Sequence, residues 1–224
     1  TEIYTLSLHD ALPIYFDENS IFIEAFTLNH GKCSGVVYGG SSKKLKKNFQ
    51  IGNKILLNWK SKGENKVGYF NTELIKPISP LFFDDKKRSI CVLAATSILK
   101  ILLPERQINK KIYHSFERLI EQFNHDDWIQ LYIFWELSLI KELGFGINFI
   151  DKNYPENHIS NTIEINDRYF KIPKLLLEQN SKNFSNAVIK EALTFNKSLL
   201  MENFILPHRL RLPLSRSILE KYFN

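Results

Sequence analysis

Between Lys32 and Lys66 the chain carries nine lysines (32, 43, 44, 46, 47, 54, 60, 62 and 66) against a single acid, Glu64. The rest of the chain holds 21 basic and 23 acidic residues, so the net charge of +6 is concentrated in this one window. Lysines grip phosphates as point charges, and the counterions they release make binding to a polyanion favourable and salt-sensitive. A flexible turn, Gly39-Gly40-Ser41-Ser42, feeds the densest part, Lys43-Lys44-Leu45-Lys46-Lys47. Tyr38, Trp59, Tyr69 and Phe70 interleave these cations, and exposed aromatics on such a surface stack unpaired bases. A lysine run is most often a solvated face, yet this density in one window favours binding. An aromatic in a small β domain is more often core than platform, and for Trp59 the core reading is favoured.

No other constellation makes a credible active site. The turn lacks the G-x-x-x-x-G-K-[ST] spacing of a nucleotide-hydrolase loop. Histidines 30, 114, 125, 158 and 208 are scattered. His125-Asp126-Asp127 could be imagined as a metal cluster, but it directly precedes an apolar helix, where acids and polar caps stabilise the N-terminus. Glu136 falls inside that apolar helix, either as a buried carboxylate with a raised pKa or paired with a nearby cation. No second carboxylate or base sits at convincing spacing to it. Cys33 and Cys91 are far apart, which excludes a disulfide framework and a zinc cage of four thiolates; they read as small apolar residues. No enzyme and no cofactor are expected.

Two halves of different periodicity must position the lysines. From Ser20 to Pro77 short strands alternate with turn signals: Ser20–Leu28 ending at Asn29-His30-Gly31, then GKCSGVVYGG, with Gly35 expected at a bulge or sharp bend. SSKKLKKNF reads as a single helical turn, and NKILLNWK and KVGYFNTELI as paired strands whose connection, Ser61–Asn65, contains Gly63. Four or five such strands imply a small barrel or sandwich. After Pro80, helical spacing takes over in Lys86–Leu103 and in Lys110–Phe123, with Ile112, Phe116, Leu119 and Phe123 on one face. Trp128–Leu143 is apolar almost all round and belongs at the centre of a bundle, stopped by a left-handed Gly144. A hairpin, NTIEINDRYFKIP, turns at Asn166-Asp167, and helices near Asn186–Asn203 and Ser215–Phe223 flank the segment Pro207–Pro213. The expected fold class is α+β.

Hydrophobic content of 44% suffices for a real core. No apolar run reaches the roughly 20 residues a spanning helix needs, and no basic start leads into an apolar block, so a cytoplasmic protein is expected. Thr1–Ile14 (TEIYTLSLHDALPI) resembles a translated sequencing adaptor and is read as non-native; the alternative is a genuine first strand, since Leu6 and Leu8 alternate with Thr5 and Ser7.

Three stretches together resemble the RecO family of bacterial recombination mediators. The first, IEAFTLNHGKCSGVVYGGSSKKLKKNFQIGNKILLNWKSK, looks like the family's oligonucleotide-binding barrel, with a T-x-x-x-G turn and a basic arm before Q-x-G. The second, Val67-Gly68-Tyr69-Phe70-Asn71-Thr72-Glu73, resembles the strand that closes that barrel. The third, Trp135–Phe149, is similar to the central helix and its Leu-Gly-Phe-Gly ending. The resemblance implies an OB-fold DNA-binding domain over residues 15–79 and an all-helical C-terminal domain with a small hairpin insertion over 80–224. It implies binding of single- and double-stranded DNA, annealing of complementary strands, and work with RecR to load RecA on strands coated by single-strand-binding protein. The basic arm then falls on Lys43, Lys44, Lys46 and Lys47, with Lys54, Lys60 and Lys62 as flanking phosphate contacts and Trp59 beside them.

Many members hold a structural zinc with four cysteines after the Leu-Gly-Phe-Gly segment; Asp151–Pro173 has none, so a metal-free variant is expected. The family's first strand should precede residue 15, where the foreign-looking segment stands. Lys110, Lys111 and Arg118 are candidate rim residues for the acidic, Phe-ended tail of single-strand-binding protein, against the plainer reading of a solvated helix face. The competing readings are an RNA-binding barrel protein of translation or processing and, less compatible with a β half poor in acids, a nuclease.

Overall fold

The computed structural model describes residues 2–7, 14–15, 17–60, 68–145, 162–165, 168–178 and 184–224. Its first half is a sheet of six strands, β1 (Glu2–Ser7), β2 (Ile14–Tyr15), β3 (Ser20–Thr27), β4 (Gly31–Tyr38), β5 (Lys54–Lys60) and β6 (Gly68–Lys76). The pairings run β1–β5–β6–β4–β3 and return from β3 to β1, with β4 and β6 parallel and the other pairs antiparallel. This is the strand cycle of a five-stranded Greek-key barrel, to which β2 adds a short edge on β3. Alternation buries Ile21, Ile23, Ala25, Val37, Ile55, Leu57 and Phe70 inside it. Glu2–Ser7 occupies the first-strand position, paired with both β3 and β5.

Gly35 departs from expectation. Its pairing with Ile23 lies in an unbroken register, so no bulge forms there; the irregularity falls at Lys54/Ile55 instead. Gly35 is needed for close approach: a Cβ would lie 2.6 Å from the Phe70 ring and 2.9 Å from the Gly68 carbonyl oxygen. Thr27 and Gly31 form the expected turn, the Thr27 hydroxyl donating to the Gly31 carbonyl (2.9 Å) and accepting from the His30 N–H (3.0 Å).

The second half is helical: α2 (Lys86–Leu102), α3 (Lys110–Glu121), α4 (Trp128–Glu142), α5 (Lys174–Leu177), α6 (Asn186–Leu200) and α7 (Leu214–Lys221); α1 (Lys43–Lys46) belongs to the β half. The apolar α4 packs against α2, α3 and α6, the central place its all-round pattern requires. Gly144 ends it at φ +104°. Asp127 stands at its N-cap position but makes no side-chain capping bond; the backbone of His125 accepts from Trp128 N–H instead (3.3 Å). The helix expected near Asn186–Asn203 ends at Leu200 and continues as one π-helical turn, Met201–Ile205, around the buried Asn203. The hairpin pairs β7 (Thr162–Ile165) with β8 (Arg168–Lys171), while Asn166-Asp167 and the Ser61–Asn65 connection lie outside the described residues.

One ion pair is sealed inside the bundle. Arg216 of α7 and Glu136 of α4 are both fully buried, with Arg216 Nε donating to Glu136 Oε1 (2.6 Å) and Nη2 to Oε2 (3.0 Å). Nη2 also donates to the Leu193 carbonyl of α6 (2.6 Å), and the Tyr132 hydroxyl donates to Glu136 Oε1 (2.8 Å). Burial works against the Arg216 charge, but the adjacent Glu136 carboxylate outweighs it and holds the guanidinium protonated more firmly than usual.

The two halves are clamped together. Phe26 of β3 joins the helical core and meets the Tyr113 ring (centroids 5.6 Å). Around it, Lys100 of α2 pairs with Glu24 (2.6 Å), Lys54 pairs with Glu117 of α3, and Lys76 with Glu121 (3.3 Å). The buried Asn53 fastens the link between the halves: its Oδ1 accepts from the N–H groups of Ile78 (2.8 Å) and Ser79 (3.0 Å). Its Nδ2 donates to the carbonyls of Lys47 (3.4 Å) and Asn48 (3.3 Å).

Arg216→Met strands a buried carboxylate and is expected to destabilise the protein by about 3–5 kcal/mol. The double change with Glu136→Leu should recover most of that loss in urea unfolding, because both charges leave together. Asn53→Ala leaves two buried N–H groups without an acceptor and is expected to lower stability by about 2–4 kcal/mol in the same measurement.

Candidate nucleic-acid interface

The lysine turn is held by two apolar anchors that face inward. Ser42 caps α1, its hydroxyl accepting from Leu45 N–H (3.4 Å). Leu45 packs against the barrel core, and Phe49, in the 3-10 turn Lys47–Phe49, is buried in it. Leu45 and Phe49 are four residues apart and so share one face. Lys43, Lys44 and Lys47 are consequently exposed and Lys46 half-buried. Gly39, at φ +72°, makes the reversal that launches the segment.

The remaining lysines of the window divide. Lys60 is exposed at the end of β5, while Lys62 and Lys66 lie outside the described residues. Lys54 is engaged across the junction with Glu117; burial would raise that carboxyl, but the hydrogen bond and charge of Lys54, with His114, hold it below its usual range. Lys32 is buried, donating to the Lys100 carbonyl (2.7 Å) and lying 3.8 Å from Glu105. These two stabilise the junction and leave the exposed charge to the α1 segment and Lys60.

The aromatics divide too. Phe70 is core. Trp59 is half-buried against the barrel core, opposite Phe70 in the β5–β6 ladder and so close to Gly68 that a Cβ there would meet its indole Nε1 at 1.8 Å. The Arg106 guanidinium lies 5.1 Å over the indole centroid, and Arg106 itself adopts φ +59° in a loop whose N–H donates to the Lys32 carbonyl (2.8 Å). Trp59 is therefore covered. The exposed platform is Tyr38, 65% accessible, with Tyr69 beside it (centroids 5.9 Å).

Lys110, Lys111 and Arg118 are all on the exposed face of α3, whose other face buries Ile112, Phe116 and Leu119. Lys111 lies 3.5 Å from Glu142 of α4, and Arg118 Nε donates to the His114 carbonyl (3.4 Å). A groove that combines apolar walls with cations lies between the lysine turn and the start of α2. Lys43, Lys46, Lys47 and Lys86 line it together with Phe82, Phe83 and Tyr222. Of these, Lys86, Phe83 and Tyr222 carry no sequence signal: they sit more than 35 residues from the lysine turn and converge on it only through the fold.

Comparison with known proteins agrees with this two-part layout. Residues 14–78 match the family model described as Recombination protein O N terminal, and residues 84–153 the one described as Recombination protein O C terminal. The DNA repair protein RecO of Wolbachia pipientis subsp. Culex pipiens (strain wPip) is 34% identical over 140 residues, which cover 62% of this chain and 57% of the relative. The DNA repair protein RecO of Roseobacter denitrificans is 30% identical over 131 residues, 58% of this chain and 54% of the relative. The chain thus matches somewhat more than half the length of these relatives. Two consecutive family models in the right order, one on the sheet and one on the helices, establish that the chain belongs to the RecO family.

Proposed function

We propose that this protein is a non-enzymatic DNA repair and recombination mediator that grips DNA through the turn carrying Lys43, Lys44, Lys46 and Lys47. The observation that carries this reading is the exposure of that turn: Leu45 and Phe49 anchor it from below, and among the described residues no carboxylate pairs with Lys43, Lys44 or Lys47. Unpaired ammonium groups on a rigid support bind phosphates without first breaking an internal ion pair. Lys60 extends the charge along β5, and Tyr38 with Tyr69 offers rings for stacking. The names of the relatives support a role in DNA repair.

Family membership supports a finer role, which we propose as well. The protein binds single- and double-stranded DNA, anneals complementary strands, and with RecR helps load RecA onto strands coated by single-strand-binding protein, whose C-terminal tail it receives. Its place of action is the nucleoid; no helix among the described residues is long and apolar enough to cross a membrane.

Charge reversal of Lys43, Lys44, Lys46 and Lys47 to Glu is expected to weaken single-strand DNA binding at least tenfold at low salt and to flatten its salt dependence. Annealing in the presence of single-strand-binding protein should fall in parallel. Unchanged binding by fluorescence anisotropy would defeat the assignment, and a preference for structured RNA over single-stranded DNA in competition would favour an RNA-binding role instead.

A further inference from the structure

The groove between the two halves has a volume of about 840 Å³ and a composition that phosphate binding alone does not require. Its walls are apolar and partly aromatic, from Ile51 on the β side to Phe82, Phe83, Ile90 and Tyr222 on the helical side. Phe83 is 71% exposed, an unusual position for a phenylalanine in a segment flanked by charge. Cations stand on both sides of these walls: Lys43, Lys46 and Lys47 come from the lysine turn, and Lys86 from the first turn of α2.

The first turn of α2 holds three cations, Lys86, Lys87 and Arg88, directly after the N-cap Asp85, whose carboxylate accepts from the Lys87 and Arg88 N–H groups. Two of the three have local partners: Arg88 lies 3.3 Å from Asp85, and Lys87 sits over the Phe223 ring at 5.3 Å. Lys86 has no carboxylate partner among the described residues, and it lines the groove.

The groove also contains a directional polar group. Ser79 Oγ donates to Gln50 Oε1 (2.6 Å), which occupies the oxygen of an amide whose nitrogen is a donor, and both residues line the groove. An aromatic-walled slot with one amide donor, bracketed by cations from two chain segments, matches a ligand that alternates flat π faces with anionic groups. An acidic peptide ending in an apolar residue places its charge on one side only.

We propose that this groove seats an unpaired nucleobase of a single strand, against Phe83 and Tyr222, while Lys43, Lys47 and Lys86 hold the phosphates on either side. The proposal rests on the DNA-binding reading above and adds to it a preference for single strands, because bases stacked and paired in a duplex cannot enter the slot. Lys86 and Phe83 thereby become part of an interface contributed by both halves of the protein.

The test measures anisotropy of labelled oligothymidylate, an abasic oligomer of equal length and a duplex, with the intact chain and with Phe83→Ala and Lys86→Ala. Phe83 is exposed, so its truncation leaves the fold intact, which urea unfolding checks. Phe83→Ala is expected to weaken oligothymidylate binding roughly fivefold or more while leaving the abasic oligomer and the duplex unchanged. Lys86→Ala should make the slope of log affinity against log salt shallower by about 0.7 on the single strand. Equal losses on the abasic oligomer, or no loss on oligothymidylate while reversal of the α1 lysines still abolishes binding, would overturn the groove proposal and leave the broader reading standing. If an acidic, Phe-ended peptide binds and Phe83→Ala removes that binding without touching oligothymidylate, the groove is a peptide site and the proposal fails. If reversal of the α1 lysines changes nothing either, both readings fall together.

Discussion

The junction between the halves depends on the hydrogen bonds of one buried amide. Asn53 receives the N–H groups of Ile78 and Ser79 on its oxygen and gives its own hydrogens to Lys47 and Asn48, so the lysine turn and the interdomain link are fixed to the same side chain. No aliphatic side chain could replace it, since both backbone donors would then be buried without acceptors. Gln50 and Ser79 repeat the connection one step outward. The position of the exposed lysines relative to α2 is therefore a property of the junction, and the groove exists because the junction holds that spacing.

A second constraint acts from inside the bundle. Arg216 and Glu136 are paired in a fully buried site, and with Tyr132 and the Leu193 carbonyl they join α4, α6 and α7. Such a pair contributes little net stability over a hydrophobic replacement, because both charges must be desolvated. What it fixes is which helix faces meet, since any other register of α7 would bury a charge alone. Tyr222, one residue past the end of α7, owes its place beside the lysine turn to that register.

Local periodicity was enough to read the elements. The two-residue alternation of Ser20–Leu28 and the 3.6-residue spacing in Lys110–Phe123 each act within a few residues, and both elements appear within one or two residues of expectation. The apolar circumference of α4 likewise foretold its central place. What local pattern does not reach is the partner distant in the chain. Gly35 looked like a bulge, but its requirement comes from Phe70 and Gly68 across the parallel β4–β6 pair. Lys54 is expected among the flanking phosphate contacts, but Glu117 reaches it from a helix more than 60 residues away, and the Lys100 carbonyl likewise engages Lys32 at the edge of the lysine window. Trp59 is half-buried against the barrel core, and nothing local in the sequence announces the Arg106 guanidinium over its ring.

The same argument explains why the lysine window was legible while the groove was not. A cluster of like charges is dense in sequence, and its repulsion is tolerated only where solvent or a polyanion screens it, so it announces itself. An apolar slot assembled from Ile51, Phe83, Ile90 and Tyr222 has no such density; each residue alone passes for ordinary core. Exposure separates them, and exposure is decided by the junction. On the proposed reading, the two signals correspond to two energetic roles. On that reading the lysines supply affinity that falls with salt, more steeply on a duplex than on a single strand, and the apolar walls supply a salt-insensitive preference for unpaired bases. Because Lys43, Lys47 and Lys86 line the same groove as the aromatic walls, the two contributions act on one ligand at once and are told apart by their response to salt rather than by their place on the surface.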